Sequence, residues 1–181
     1  MQKHDTLGHY PTDTMIGDII ACRSHGWSPM SWIIRKKTSS QVNHVSSCIG
    51  NGEMVEALGS VVRTKTNRLT GEWWIHLRPT GYITDANKVA MREFLVSQVG
   101  KKYDWKAIWG FGPWQSYDHV NGHPDKWFCS ELVWQSYYKV GTQLSRRPNC
   151  YVFPTDILES PLVKVAGYQW PKSLMEWVTG E

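Results

Sequence analysis

Residues 127–133 read Trp127-Phe128-Cys129-Ser130-Glu131-Leu132-Val133. Leu132, Val133, Ser136, Tyr137 and Val140 follow Cys129 at offsets of 3, 4, 7, 8 and 11, the spacing of one helix face, and Gly141 supplies a stop. The pattern puts Cys129 on the first turn of a helix. Unpaired backbone N–H groups and the positive end of the helix dipole favour thiolate over thiol there. A thiol so placed is a candidate nucleophile, and its own backbone N–H is a candidate oxyanion donor after attack on a carbonyl. Cysteine is also among the most buried residue types, so simple packing beneath Trp127 is the alternative.

Working outward, a second helix runs from its cap Thr84 through Ala86, Ala90, Met91, Phe94, Leu95 and Val99 to a stop at Gly100. Toward the N-terminus the pattern is mostly of strands. Gly17 to Cys22, His44 to Ile49, Glu53 to Ala57 and Trp73 to Arg78 are candidates, and Ser28-Pro29 opens a short helix through Trp32, Ile33 and Ile34. A short helix at Pro154 to Glu159 and a strand at Val163 to Tyr168 complete the order. An α+β fold follows, an antiparallel sheet packed against the Cys129 helix, in one domain over residues 1–181 with its core at about 14–168.

The chain has 181 residues, 41% hydrophobic and 20% charged, with 11 Trp, the composition of a folded protein. Its formal charge of +4 is spread along the chain, and the only basic run, Arg35-Lys36-Lys37, reads as a solvated helix end, so nucleic-acid binding is not expected. No apolar stretch reaches 18 residues and the N-terminus has no apolar signal core. A cytoplasmic location is therefore expected, with release by lysis or assembly into a particle as the other route. The four cysteines, Cys22, Cys48, Cys129 and Cys150, show no close pairing, which points to free thiols rather than a zinc ribbon.

A nucleophilic thiol needs a base, and His44 begins a strand of small and apolar residues that would hold an imidazole rigidly. Glu56, on the next strand, is a candidate third group to fix the ring's tautomer and charge. The turn between them decides the pairing. A three-residue loop Gly50-Asn51-Gly52 sets Ile49 opposite Glu53 and Ser46 opposite Glu56, so that His44 and Glu56 share a face as diagonal neighbours. A two-residue turn Asn51-Gly52 sends them to opposite faces. The glycine at 52 favours the first register.

These segments, in this order, resemble the circularly permuted branch of the bacterial NlpC-type papain-like cysteine peptidases, especially its YiiX/YebB-type members. The resemblance spans about Thr14 to Val165: Gly17-Asp18-Ile19-Ile20, Asn43-His44-Val45, Met54-Val55-Glu56-Ala57, Gly100-Lys101-Lys102-Tyr103-Asp104, Phe128-Cys129-Ser130-Glu131-Leu132-Val133 and Pro154-Thr155-Asp156-Ile157. It implies a papain-like fold in which Cys129 is the nucleophile, His44 the base and Glu56 the polar third member. Tyr103 matches a family tyrosine that approaches the nucleophile; with Ser130, part of the motif though better read as a first-turn residue, it makes up the expected oxyanion or substrate-binding group.

The implied activity is thiol hydrolysis of an amide through an acyl-cysteine, in a peptide or a cell-wall stem peptide. A lipid-directed thiol acyl hydrolase or acyltransferase is the alternative, and an idle binding module with the same fold is a third reading. No cofactor is expected. The Trp-, His- and Gly-rich loop from Gly110 to Lys126 matches no family motif. Its Asp118, His119, His123 and Asp125 are not expected to bind metal, because Asn121-Gly122 and Pro124 oppose the helix that paired histidines at that spacing would need. The substrate and the oligomeric state stay open at the level of sequence.

Overall fold

Thr84 caps its helix as its hydroxyl predicts, accepting from the Asn87 N–H at 3.2 Å in a computed structural model of the chain. The structure describes residues 2–3, 11, 13–23, 29–66, 73–105, 125–147 and 152–169. Ser28, Cys150 and all of the Gly110 to Lys126 loop before Asp125 lie outside these residues.

Among the described residues nine strands form one sheet: β1 (Gln2–Lys3), β2 (Ile19–Arg23), β3 (His44–Gly50), β4 (Glu53–Leu58), β5 (Val61–Thr66), β6 (Trp73–Pro79), β7 (Lys102–Tyr103), β8 (Lys126–Trp127) and β9 (Val163–Gln169). The order across the sheet is β1-β9-β6-β2-β3-β4-β5-β7-β8. The expected antiparallel sheet is corrected to a mixed one. From β9 through to β7 the pairings are antiparallel, but β1 joins β9 and β8 joins β7 in parallel. Each added edge strand has two residues, and a two-residue strand carries no readable alternation. The likeness to an α+β fold holds.

Among the described residues four helices accompany the sheet: α1 (Pro29–Thr38), α2 (Asp85–Ser97), α3 (Cys129–Tyr138) and α4 (Pro154–Leu158). Helix α3 is buried over eight of its ten residues, Trp134 included, and not along one stripe. Its Leu132 and Val133 share a core with Val45 and Ile49 of β3, Val55 of β4, and Met91 and Leu95 of α2. That cluster is the main apolar core, and it fixes the start of α3 against the middle of the sheet. Helix α2 buries less than its pattern predicts: Met91 and Leu95 are enclosed, but Ala86, Ala90 and Val99 are exposed, because the helix meets the core only through its middle.

Gly17, ahead of β2, has φ +93°, and a Cβ there would stand 2.8 Å from Ile83 Cδ1. Its carbonyl accepts from the Tyr137 hydroxyl at the far end of α3. Both the positive φ and the close approach require glycine at this position.

Candidate active site

The hairpin between β3 and β4 reaches the expected alignment by a different route. Gly50 pairs with Glu53, so the turn is the two-residue Asn51-Gly52, with φ of 55° and 72° at its two positions. Positive φ at both central residues is what a tight strand-to-strand turn demands, and Asn-Gly supplies it. Ile49 is then an extra residue, a bulge between Cys48 and Gly50, and beyond it Cys48 pairs with Met54 and Ser47 with Val55. Continued by one residue, this register sets Ser46 opposite Glu56. The three-residue loop is thus corrected to a two-residue turn plus a bulge, and the bulge restores the face that a plain two-residue turn would have lost.

His44 Nε2 donates to Glu56 Oε2 at 2.9 Å, with the histidine 5% and the glutamate 1% exposed. Ser46 Oγ donates to the same oxygen at 3.2 Å. The second carboxylate oxygen, Oε1, accepts from Arg63 Nε at 3.0 Å and lies 2.9 Å from Arg63 Nη2. Arg63 comes from β5, directly opposite Glu56 in that ladder. A buried carboxylate is tolerable only when its oxygens are satisfied in this way.

On its other side the buried His44 ring interacts with the Cys129 thiol. Burial alone would lower the imidazole's affinity for a proton. The Cys129 and Glu56 hydrogen bonds and charges outweigh burial and push the His44 pKa up to about 10. Cys129 is the first residue of α3, after Phe128 in extended conformation, and is 1% exposed. Tyr103 brings its hydroxyl within hydrogen-bonding reach of the same thiol, and burial, then the Cys129 charge, holds that phenol well above its ordinary value. Its ring packs edge-on to Phe128 at 5.8 Å and against Trp105 at 4.8 Å.

Four of the five residues expected at the site, Cys129, His44, Glu56 and Tyr103, therefore meet. Ser130 does not join them. It is fully buried, and its hydroxyl donates to the Val152 carbonyl, tying α3 to the segment before α4 rather than facing a substrate. Arg63, and the hydrogen bond that Ser46 makes to Glu56, escaped the sequence reading. Their signal was present, since Val61-Val62-Arg63-Thr64 after Gly59-Ser60 is a β-branched run beyond a turn, but Arg63 acquires meaning only once that run is paired with β4.

A second polar cluster holds the neighbouring strands. Asp18 Oδ2 accepts from His76 Nε2 at 2.8 Å, Arg78 Nη2 at 2.9 Å and the Met15 N–H at 3.0 Å, and Oδ1 accepts from Arg78 Nε at 3.2 Å. His76, which has no partner pattern in the sequence, is thus a buried structural histidine. Nearby Cys48 is no second nucleophile, because burial raises its thiol far above the ordinary value.

Glu131, two residues after Cys129, is 1% exposed; one carboxyl oxygen accepts from the Phe128 N–H at 3.3 Å and the other has no hydrogen-bond partner among the described residues. Burial raises its pKa to about 8. A carboxyl whose folded pKa is raised gives up stability as the pH climbs from its unfolded value of 4.5 through 8. Glu131→Gln keeps the acceptor and removes the ionisation. The variant is expected to melt a few degrees above wild type at pH 9 and within about a degree of it at pH 5, as followed by thermal denaturation.

The chain matches no family model, and no curated protein matches its sequence. Among solved structures it superposes on the metalloprotein yiiX from Escherichia coli O157:H7 with a TM-score of 0.62, covering 87% of this chain and 98% of that one. The fold is yiiX-like. At 19% identity the likeness to yiiX establishes architecture alone.

Proposed function

We propose that the chain is a papain-like thiol hydrolase, with Cys129 the nucleophile, His44 its base and later its acid, and Glu56 the group that orients His44. The observation that carries this reading is the unbroken alignment of Glu56, His44 and Cys129 at the start of α3, with the imidazole's pKa raised. Arg63 holds Glu56 and Glu56 holds His44, so the ring beside Cys129 is fixed in place as the base of a thiol nucleophile requires. In the reaction the Cys129 sulfur attacks an amide carbonyl, and the oxyanion gathers on the Cys129 N–H and the Tyr103 hydroxyl. Collapse expels the amine, which takes its proton from His44. A water deprotonated by His44 then cleaves the thioester and frees both acid and thiol.

The preferred substrate is an amide in a peptide, with the stem peptides of cell wall as the leading example. A second reading, an acyl-lipid ester or amide, is favoured by the half-exposed Trp32 beside Lys36 at the His44 end of the sheet. The yiiX neighbour is a metalloprotein, but among the described residues here no group of three or more His, Cys, Asp or Glu side chains is arranged to hold a metal ion. Asp125 carries its carboxylate 3.8 Å from Lys101 Nζ, while Asp118, His119 and His123 lie outside the described residues.

Incubation with muropeptides or with phospholipids, followed by acid quench and intact mass measurement, tests the assignment. A peptidyl adduct on Cys129, absent in Cys129→Ala, is the expected result. A fatty-acyl adduct would move the substrate to lipid, and an unmodified chain with both substrates would sink the hydrolase reading.

A further inference from the structure

Helix α1 joins the end of β2 to the start of β3, so it lies at the end of the sheet where His44 begins its strand. Its Ile34 is 4% exposed and Ile33 packs against the same core. Trp32 and Lys36, one turn apart, form the opposite side. The indole is 53% exposed, and the Lys36 ammonium stands 4.8 Å from its centroid. Arg35 is close enough to Arg23 for the two guanidinium groups to repel, and Arg23 lies 4.8 Å over the ring of Trp73, its neighbour across the β2–β6 ladder.

No acidic residue occurs in α1. Among the described residues no carboxylate comes within ion-pair distance of Arg23, Arg35 or Lys36. Cations crowded together without a counter-charge are relieved by an anionic partner. The chemistry of the aromatic group narrows which one. A soluble polyanion neutralises the cations but leaves the indole in water, whereas a bilayer interface accepts the ring at headgroup depth while the Lys36 stem reaches up to phosphate.

We propose that the Trp32 and Lys36 face of α1, with Arg23 and Arg35, docks on an anionic phospholipid surface. The docking needs no thiol chemistry, and it turns the His44 end of the sheet toward the lipid whatever bond Cys129 attacks.

Flotation with vesicles tests it, using Cys129→Ala to prevent turnover and wild type beside it. Vesicles of phosphatidylcholine with about one-third phosphatidylglycerol are expected to carry the protein and pure phosphatidylcholine vesicles to carry little, because the anionic lipid supplies the attraction. Each cation removed, as in Arg35→Ala or Lys36→Ala, is expected to weaken binding about fivefold. Trp32→Ala should also weaken it, and Arg92→Ala on the exposed side of α2 should leave it unchanged. Indifference of the anionic vesicles to the α1 variants would overturn the proposal. So would binding to soluble polyphosphate as strong as to vesicles and insensitive to Trp32→Ala. Equal flotation of wild type and Cys129→Ala separates this surface from the hydrolase reading, since either can then fail alone.

Discussion

Iodoacetamide at neutral pH is expected to alkylate Cys129 about a hundredfold or more faster than Cys22 or Cys48, and His44→Ala is expected to erase most of that difference. The comparison is unusually clean. All three thiols are 1% exposed or less, so access does not favour any of them, and the partners alone differ. Cys129 has the first turn of a helix beneath it and an imidazole that holds its proton to about pH 10. Cys48 has burial and a neighbouring Asp18 carboxylate, both of which keep it a thiol. Mass mapping of the alkylated peptides reads the rates directly. Equal, slow labelling of the three would remove Cys129 from consideration as a nucleophile.

Asp18→Ala is expected to cost about 3–5 kcal/mol of stability, the range for deleting one member of a buried ion pair. For a chain of this length that is a fall of roughly 6–20 °C in Tm. Asp18 is 1% exposed and receives hydrogen bonds from His76, from Arg78 twice and from the Met15 N–H. Alanine leaves a 3%-exposed His76 side chain without its acceptor and strands the Arg78 guanidinium beside Cys48. Burial pushes the Asp18 pKa up, but the His76, Arg78 and Met15 bonds together bring it below its ordinary 3.8. Because the folded pKa is depressed, its contribution is present above pH 3.8 and is lost as the pH falls through the lower folded value. The gap in Tm between wild type and Asp18→Ala, measured by calorimetry, should close on strong acidification. A loss under about 1 kcal/mol at pH 7 would show that the cluster is a surface-like pair.

The sequence was most readable where a pattern is local. The apolar offsets after Cys129 announce α3, and the Thr84 hydroxyl marks the first turn of α2. It was least readable where meaning arises from pairing. His76 lies 58 residues from Asp18, and Arg63 becomes the partner of Glu56 only across the β4–β5 ladder. The two-residue strands β1, β7 and β8 are too short for any alternation, so their parallel pairings come from contacts made by the rest of the fold. The alignment of His44 with Glu56 was legible for a partly mistaken reason. Counting residues through Gly50-Asn51-Gly52 gives the correct partners, but the count cannot tell a longer loop from a tight turn with a bulge behind it.

The Ile49 bulge makes the number of residues between base and acid a matter of odd and even. His44 and Glu56 are 12 positions apart, an even separation that brings them together only because β3 carries one residue more than β4 can match. Removing Ile49 would leave Cys48 opposite Met54 and the same two side chains facing each other at an odd separation. A chain with a plain two-residue hairpin would need that odd separation from the outset. A search template that demands a fixed gap between histidine and acid would therefore pass over molecules with the same chemistry, whereas one that couples the parity of the gap to the presence of a bulge would find both.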